Sequence, residues 1–166
     1  MLLSYDATAS YLLEAVDKFI EKLEGYKRQQ VRFAKDHAKA LRELKEKVAN
    51  RTATEADVMS IFIIVDNYTY SYHILHREYE TIQHYCVAMT QYLRARDVSV
   101  IVRFKGEDTK WDSAAEAVEH YYPLMKSAPR GDRIRYEKIF TEMSFGRPLC
   151  TDGSKPKVKK EDGEND

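Results

Sequence analysis

The chain has 166 residues, with 27 basic and 27 acidic side chains, so its formal net charge at pH 7 is zero. This balance excludes an argument from overall charge for nucleic acid or for an acidic partner, which would have to rest on local segregation of charge. We expect one helical domain over residues 1–150, followed by a disordered charged tail over residues 151–166.

The location of the protein is predicted from cysteine use and from apolar runs. Cys86 and Cys150 are far apart in the sequence and do not form a disulfide framework. The N-terminus shows no secretory signal, and the longest apolar run, residues 58–65, is far shorter than the ~20 residues of a membrane span. These features predict a soluble cytoplasmic protein and leave peripheral membrane contact open.

A heptad pattern predicts a long first helix over about residues 7–50. Proline is absent from this stretch, and Gly25 is the only glycine before Gly106. The repeating positions are Leu12, Val16, Phe19, Leu23, Tyr26, Gln30, Phe33, His37, Ala40 and Leu44. Such spacing is typical of a helix that keeps one narrow face against a partner helix along its length.

A second long helix is predicted over about residues 54–96, starting at the N-cap Thr54. Its apolar positions recur at sevens in two adjacent rows: Ile61, Tyr68, Leu75, Ile82 and Met89, and Val65, Tyr72, Tyr79, Cys86 and Leu93. The few residues between the two helices require an antiparallel hairpin. We therefore expect an all-α fold, an elongated antiparallel hairpin of two coiled-coil-like helices with two short helices after it.

The C-terminal third is less regular. Residues 97–110 are rich in β-branched side chains and end the helical pattern, so they are either extended or a frayed continuation of the helix. Ser113 caps a short helix over about residues 114–122, which Pro123 ends or kinks, and Asp132 caps another over about residues 133–144.

Charge is segregated along the first helix on the face opposite the heptad positions. The C-terminal part of this face is basic and consists of Arg28, Arg32, Lys35, Lys39 and Arg42. The N-terminal part is acidic and consists of Glu14, Asp17, Glu21 and Glu24. The face is either solvated, or bound to an anionic lipid surface, or paired with a second copy in an antiparallel homodimer, in which acid meets base.

Residues 33–45, with Phe19, Leu23 and Tyr26 before them, resemble the first long helix of F-BAR (FCH) domains. Shared features are an Ala-Lys pair, then Leu-Arg and a Leu-Lys ending at Lys45. The resemblance implies a cytosolic, elongated antiparallel dimer that binds anionic membrane through basic residues. It implies lipid-facing roles for Lys35, Lys39 and Arg42.

Two further patterns lie in the second helix. One stripe of this helix offers candidate metal ligands at steps of three, four and four, namely His73, His76, Glu80 and His84. Matching ligands on the other helices are few. Tyr68, Tyr72 and Tyr79 share the apolar arc and are predicted to form a dimer or partner interface.

We expect no cofactor, no catalytic residues and no enzyme activity, because the chain has no glycine-rich phosphate loop, nucleophile elbow or paired-cysteine motif. Nucleic acid is an improbable partner. The function that fits best is a non-catalytic dimeric scaffold or adaptor that engages an anionic membrane or an acidic protein through the basic face. The alternatives are a protein-assembly module without lipid binding and a metal-binding helical bundle.

Overall fold

The computed structural model describes residues 4–25, 33–72 and 76–158, and the side chains of these residues except 70–72, 76 and 77. The chain divides into two compact units, one over Leu3–Arg94 and one formed mainly by Ala95–Asp166. We call them the helical unit and the mixed unit. The sequence had indicated a single domain over residues 1–150.

The helical unit contains four helices: α1 (Tyr5–Glu24), α2 (Ala34–Ala49), α3 (Glu55–Tyr72) and α4 (His76–Ala95). α1 begins where the Ser4 hydroxyl accepts a hydrogen bond from the Ala7 amide, and it ends at the C-cap Gly25. None of the described helices is both long and apolar enough to cross a membrane.

The prediction of one helix over residues 7–50 is wrong. The Arg51 guanidinium lies 2.7 Å from the Asp6 carboxylate, and Lys45 pairs with Asp17. In one straight helix Asp6 and Arg51 would be roughly 67 Å apart. α1 and α2 are therefore separate antiparallel helices, and Glu24 of the predicted acidic part pairs with Arg42 of the predicted basic part within one chain.

The prediction of one helix over residues 54–96 is wrong for the same reason. Arg94 Nε lies 3.0 Å from Glu55 Oε1, and the Tyr79 hydroxyl donates to Asp66 over 3.0 Å. A continuous helix would separate Glu55 from Arg94 by roughly 58 Å. The unit is thus built from two helical hairpins, and the elongated two-helix rod is not confirmed.

Many positions of the predicted apolar rows lie in the core of the helical unit. Leu12, Val16, Phe19 and Leu23 of α1 are buried, as are Ile61, Val65, Tyr68, Ile82, Cys86 and Met89 of α3 and α4. In α2 the buried positions are instead Ala34, Ala38, Leu41 and Val48, while Phe33, a predicted seam residue, is 57% exposed. Each fully buried large apolar side chain contributes about 1.5–3 kcal/mol.

The mixed unit corrects the all-α prediction, because it contains a three-stranded sheet. β1 (Val100–Phe104) and β2 (Glu107–Trp111) form an antiparallel hairpin, and β3 (Leu149–Thr151) pairs in parallel with β1, so that the strand order is β2-β1-β3. Lys105 and Gly106 have φ values of 50° and 82°, as a two-residue type I′ turn requires. Residues 100–104, left open by the sequence, are extended.

Two helices connect β2 to β3, α5 (Ala114–Ser127) and α6 (Arg130–Ser144). Ser113 caps α5 as predicted, but α5 continues through Pro123 to Ser127. The N-cap of α6 is Pro129, three residues before the expected cap, and Asp132 instead pairs with Lys105 at 2.9 Å. The buried side chains of the unit include Val100, Val102, Val118, Ile139, Phe140 and Cys150.

The predicted disorder from residue 151 does not extend over the described part of the tail. Asp152 is buried, and Lys157 donates its amide to the Gly106 carbonyl over 2.9 Å. A Cβ atom at Gly106 would lie 2.9 Å from the Lys155 carbonyl oxygen, which explains why glycine occupies this turn. Residues 159–166 lie outside the described residues.

Candidate functional site

The outward face of α3 carries no charge, although a third of the chain's residues are charged. Among its described side chains, over residues 55–69, the exposed ones are Ala56, Met59, Ser60, Ile63 and Asn67. At ~100° per residue they share an arc of about 100°. Met59 and Ile63 are 45% and 58% exposed, so large apolar side chains occupy the middle of this face. A helix that is apolar on its outer side as well as toward the core is typical of a surface that a second body covers.

A groove of about 340 Å³ continues this face between α3 and α4. Met59 and Phe62 line it from α3, and Val87, which is 53% exposed, lines it from α4. The polar residues at the groove are the amides Gln83 and Gln91, together with Thr90 and Arg94. We call the outward residues of α3 and this groove the α3 face. An apolar centre with polar residues beside it is the composition of a protein interface.

Charged side chains lie near both ends of α3. At the end near the N-terminus of α3, Arg94 is 67% exposed and bonded to Glu55. At the other end, Asp66 accepts a hydrogen bond from the Tyr79 hydroxyl. The N-terminus itself is fixed by a reciprocal cap in which Thr54 and Asp57 exchange hydrogen bonds of 2.9 and 3.2 Å. The Thr54 amide lowers the pKa of the Asp57 carboxyl.

The groove contains one cysteine among its described lining residues. Cys86 lies at its base, and burial raises the pKa of the thiol to about 12. Near neutral pH the sulfur is therefore protonated and a poor nucleophile. Cys150 in the mixed unit is also buried, and its pKa is likewise raised to about 12, mainly by burial.

Of the three tyrosines predicted to form an interface, Tyr68 lies in the core of the helical unit. Tyr68 is only 2% exposed, its hydroxyl lies 2.5 Å from His37 Nδ1, and its ring packs on Phe19 with the ring centroids 6.2 Å apart. Tyr79 is half-buried and bonded to Asp66. The side chain of Tyr72 lies outside the described residues. Sequence analysis did not single out the α3 face, although one signal was present, the absence of charge at the outward positions of α3.

Of the described residues of the predicted basic face, one forms an ion pair and two do not. Arg42 pairs with Glu24 across the α1–α2 hairpin. Lys35 and Lys39 are exposed and make no ion pair with any residue that the structure describes. Arg28 and Arg32 lie outside the described residues. Part of the charge complementarity expected between two chains is thus satisfied within one chain, by the Arg42–Glu24 pair.

The candidate metal stripe is described only in part. Glu80 and His84 are exposed on α4, and His84 packs edge-on against Tyr85. His73 and the side chain of His76 lie outside the described residues. Among the described side chains, no group of three or more His, Cys, Asp or Glu residues could hold a metal ion. The metal-binding alternative therefore stays a hypothesis.

Comparison of the chain with protein-family models, with curated protein sequences and with solved structures yields no match.

Proposed function

We propose that this protein is a cytoplasmic, non-catalytic assembly module that forms a homodimer through the α3 face. The observation that carries the proposal is the exposure of Met59, Ile63 and Val87 around a groove whose one charged residue, Arg94, is bonded to Glu55. Interface cores are depleted in charged residues, and exposed apolar patches of this kind mark contact surfaces. Burying these side chains supplies the main driving force for association.

A second copy of the chain suits this face because the face is self-complementary. When two α3 helices cross in antiparallel fashion about a twofold axis near their centres, Ile63 of each copy meets Ser60 of the other, a large side chain against a small one. The same arrangement brings Arg94 of one copy toward Asp66 of the second copy. A guanidinium has five N–H donors, so Arg94 can then donate to Glu55 of its own copy and to Asp66 of the second copy together.

The test is the molar mass in solution, measured by light scattering at micromolar concentrations. We expect the wild type to have twice the monomer mass and Ile63→Glu to be a monomer, because the new carboxylate would be desolvated in the interface. Leu124→Glu is the matched control, since Leu124 is 44% exposed on the mixed unit. That variant stays a dimer.

A wild type that is monomeric throughout this concentration range contradicts the homodimer. A dimer that persists in Ile63→Glu, with unchanged circular dichroism, places the interface elsewhere and contradicts the role of the α3 face.

We propose peripheral binding to anionic lipid as a second candidate function, through Lys35 and Lys39. These residues are exposed, lie one turn apart on α2 and make no ion pair with the described residues. Each such cation near an anionic surface contributes about 1 kcal/mol. The resemblance to F-BAR domains supports the same residues.

Sedimentation with phosphatidylserine vesicles tests this second candidate. We expect the wild type to sediment with the vesicles and Lys35→Glu/Lys39→Glu to stay in the supernatant. Lys110→Glu/Lys126→Glu makes the same change of charge on the mixed unit and should sediment like the wild type. If both double variants sediment equally, or if the wild type does not sediment, α2 does not bind lipid.

A further inference from the structure

The sheet of the mixed unit has an open edge at β3. The Ile101 amide donates to the Pro148 carbonyl over 2.9 Å, and the Asp152 amide donates to the Arg103 carbonyl over 3.2 Å. Residues that face a neighbouring strand alternate along a parallel ladder, so Leu149 and Thr151 direct their backbone groups away from β1. Within the part of the chain that the structure describes, neither residue has a backbone partner on that side.

A groove of about 550 Å³ lies beside this edge, between β3 and α6. Phe145 and Ile134 line the α6 side, and they are 70% and 45% exposed. Thr151 and Gly153 line the strand side. The groove therefore combines unpaired backbone donors and acceptors with apolar side chains, the two components of strand-addition sites.

The opposite edge of the sheet differs in composition. β2 exposes Glu107, Asp108 and Lys110 along its five residues. Charged side chains of this kind are a common protection of sheet edges against further pairing. β3, with the sequence Leu-Cys-Thr, has no such protection.

We propose that the β3–α6 groove binds an uncharged, extended peptide segment of another protein by strand addition to β3. The charged residues of the groove are two basic, Lys138 and Arg147, and two acidic, Glu137 and Glu142, of which Arg147 and Glu142 pair at 2.6 Å. A lining without net charge favours a ligand without net charge. This site is on a different unit from the α3 face and is independent of the function proposed above.

The length of the groove fits a short extended segment. From Ile134 to Phe145 the helix rises about 16 Å, which equals about five residues of extended chain. A second copy's β3 has only three residues, and Pro148 before it has no amide donor. A longer extended segment of another protein can fill more of the groove.

Thr151→Pro tests the site selectively. The Thr151 amide points away from β1, so proline removes an outward donor and blocks the edge without breaking the ladder to β1. Thr151→Val is the matched control because it keeps the amide. The probe is a displayed library of seven-residue peptides with Val, Ile or Phe alternating with Ser and Thr.

We expect the library to yield peptides that bind the wild type and Thr151→Val, and that bind Thr151→Pro at least about ten-fold more weakly. Hydrogen exchange should show the amides of Leu149 and Thr151 exchanging rapidly in the free protein and slowly with a selected peptide. The Cys150 amide, which faces β1, should be protected in both states.

Three results would overturn the proposal. The first is a library that yields no peptide preferring the wild type over Thr151→Pro. The second is protection of the Leu149 and Thr151 amides in the free monomer, which would mean that the edge is already covered. The third is protection that grows with protein concentration, which would assign the edge to a second copy.

Discussion

The carboxylate of Asp152 ties three parts of the mixed unit together. It accepts hydrogen bonds from the Lys105 amide at the hairpin turn over 2.8 Å, from the Ser154 amide over 2.9 Å and from the Arg135 guanidinium of α6 over 2.9 Å. Burial opposes its ionisation, but these donors outweigh burial and lower the pKa to about 2. One buried charge thus holds the chain after β3 against the β1–β2 turn.

This network makes the stability of the mixed unit depend on pH. The pKa of Asp152 is near its ordinary value of 3.8 when the chain is unfolded and about 2 when it is folded. The stabilising contribution is therefore complete above about pH 4 and is lost as the pH falls toward 2. Trp111, the only tryptophan, lies in this unit, so urea unfolding followed by its fluorescence measures the effect.

The variant Asp152→Asn isolates the contribution of this residue. We expect it to lower the free energy of unfolding by about 1–3 kcal/mol at pH 7 and to flatten the pH dependence between 4 and 2. Asp97→Asn, at an exposed position, is the control and should resemble the wild type. If both variants keep the wild-type profile, the network does not stabilise the unit.

At the scale of elements, the face of α2 that is buried differs from the face that the heptad pattern predicts. The pattern places His37, Ala40 and Leu44 in the seam, whereas Ala38 and Leu41 are buried. The two sets are one residue apart, or about 100° around the helix. α1 ends at Glu24 and α2 begins at Ala34, so the second helix does not inherit the orientation of the first.

Truncation of two leucines in α2 distinguishes the two phases. We expect Leu41→Ala to cost about 2–5 kcal/mol, because Leu41 is fully buried and truncation leaves a cavity. Leu44→Ala should cost much less, since Leu44 is only half-buried. Urea unfolding followed by circular dichroism measures both. Equal costs, or a larger cost at Leu44, would mean that the heptad phase continues into α2.

At the scale of the whole molecule, the chain has two separate cores. Phe19 is fully buried in the helical unit, and Phe140 is fully buried in the mixed unit. The ring of Phe19 contacts Tyr68 of the same unit. Units with separate cores can open separately under native conditions.

Hydrogen exchange tests this independence. We expect Phe19→Ala to speed exchange of the slowest amides in Leu3–Arg94 and to leave those of the mixed unit unchanged, and Phe140→Ala to do the reverse. Each truncation removes about 3–5 kcal/mol from its own core. Loss of protection in both units from either variant would show a single cooperative structure.

The sequence by itself determined the features that depend on neighbours along the chain. The described positions of the predicted apolar rows in α1, α3 and α4 are buried, except Tyr79 and Leu93, which are half-buried. The Thr54 and Ser113 caps form because their partners are three residues away. The absence of charge at the outward positions of α3 can also be read from the sequence, but the exposure of these positions cannot.

The tertiary structure alone decided where the helices end, which face of α2 is buried, and that a three-residue strand joins the sheet. A heptad pattern records spacing and carries no information on whether a chain turns back, so two hairpins and one rod share the same pattern. β3 forms because β1, nearly fifty residues earlier, supplies its hydrogen bonds. The ion pairs of Asp6 with Arg51 and of Asp17 with Lys45 exist because the chain reverses between α1 and α2. The same reversal brings Glu24 and Arg42, one acidic and one basic residue of the predicted charged face, together within one chain.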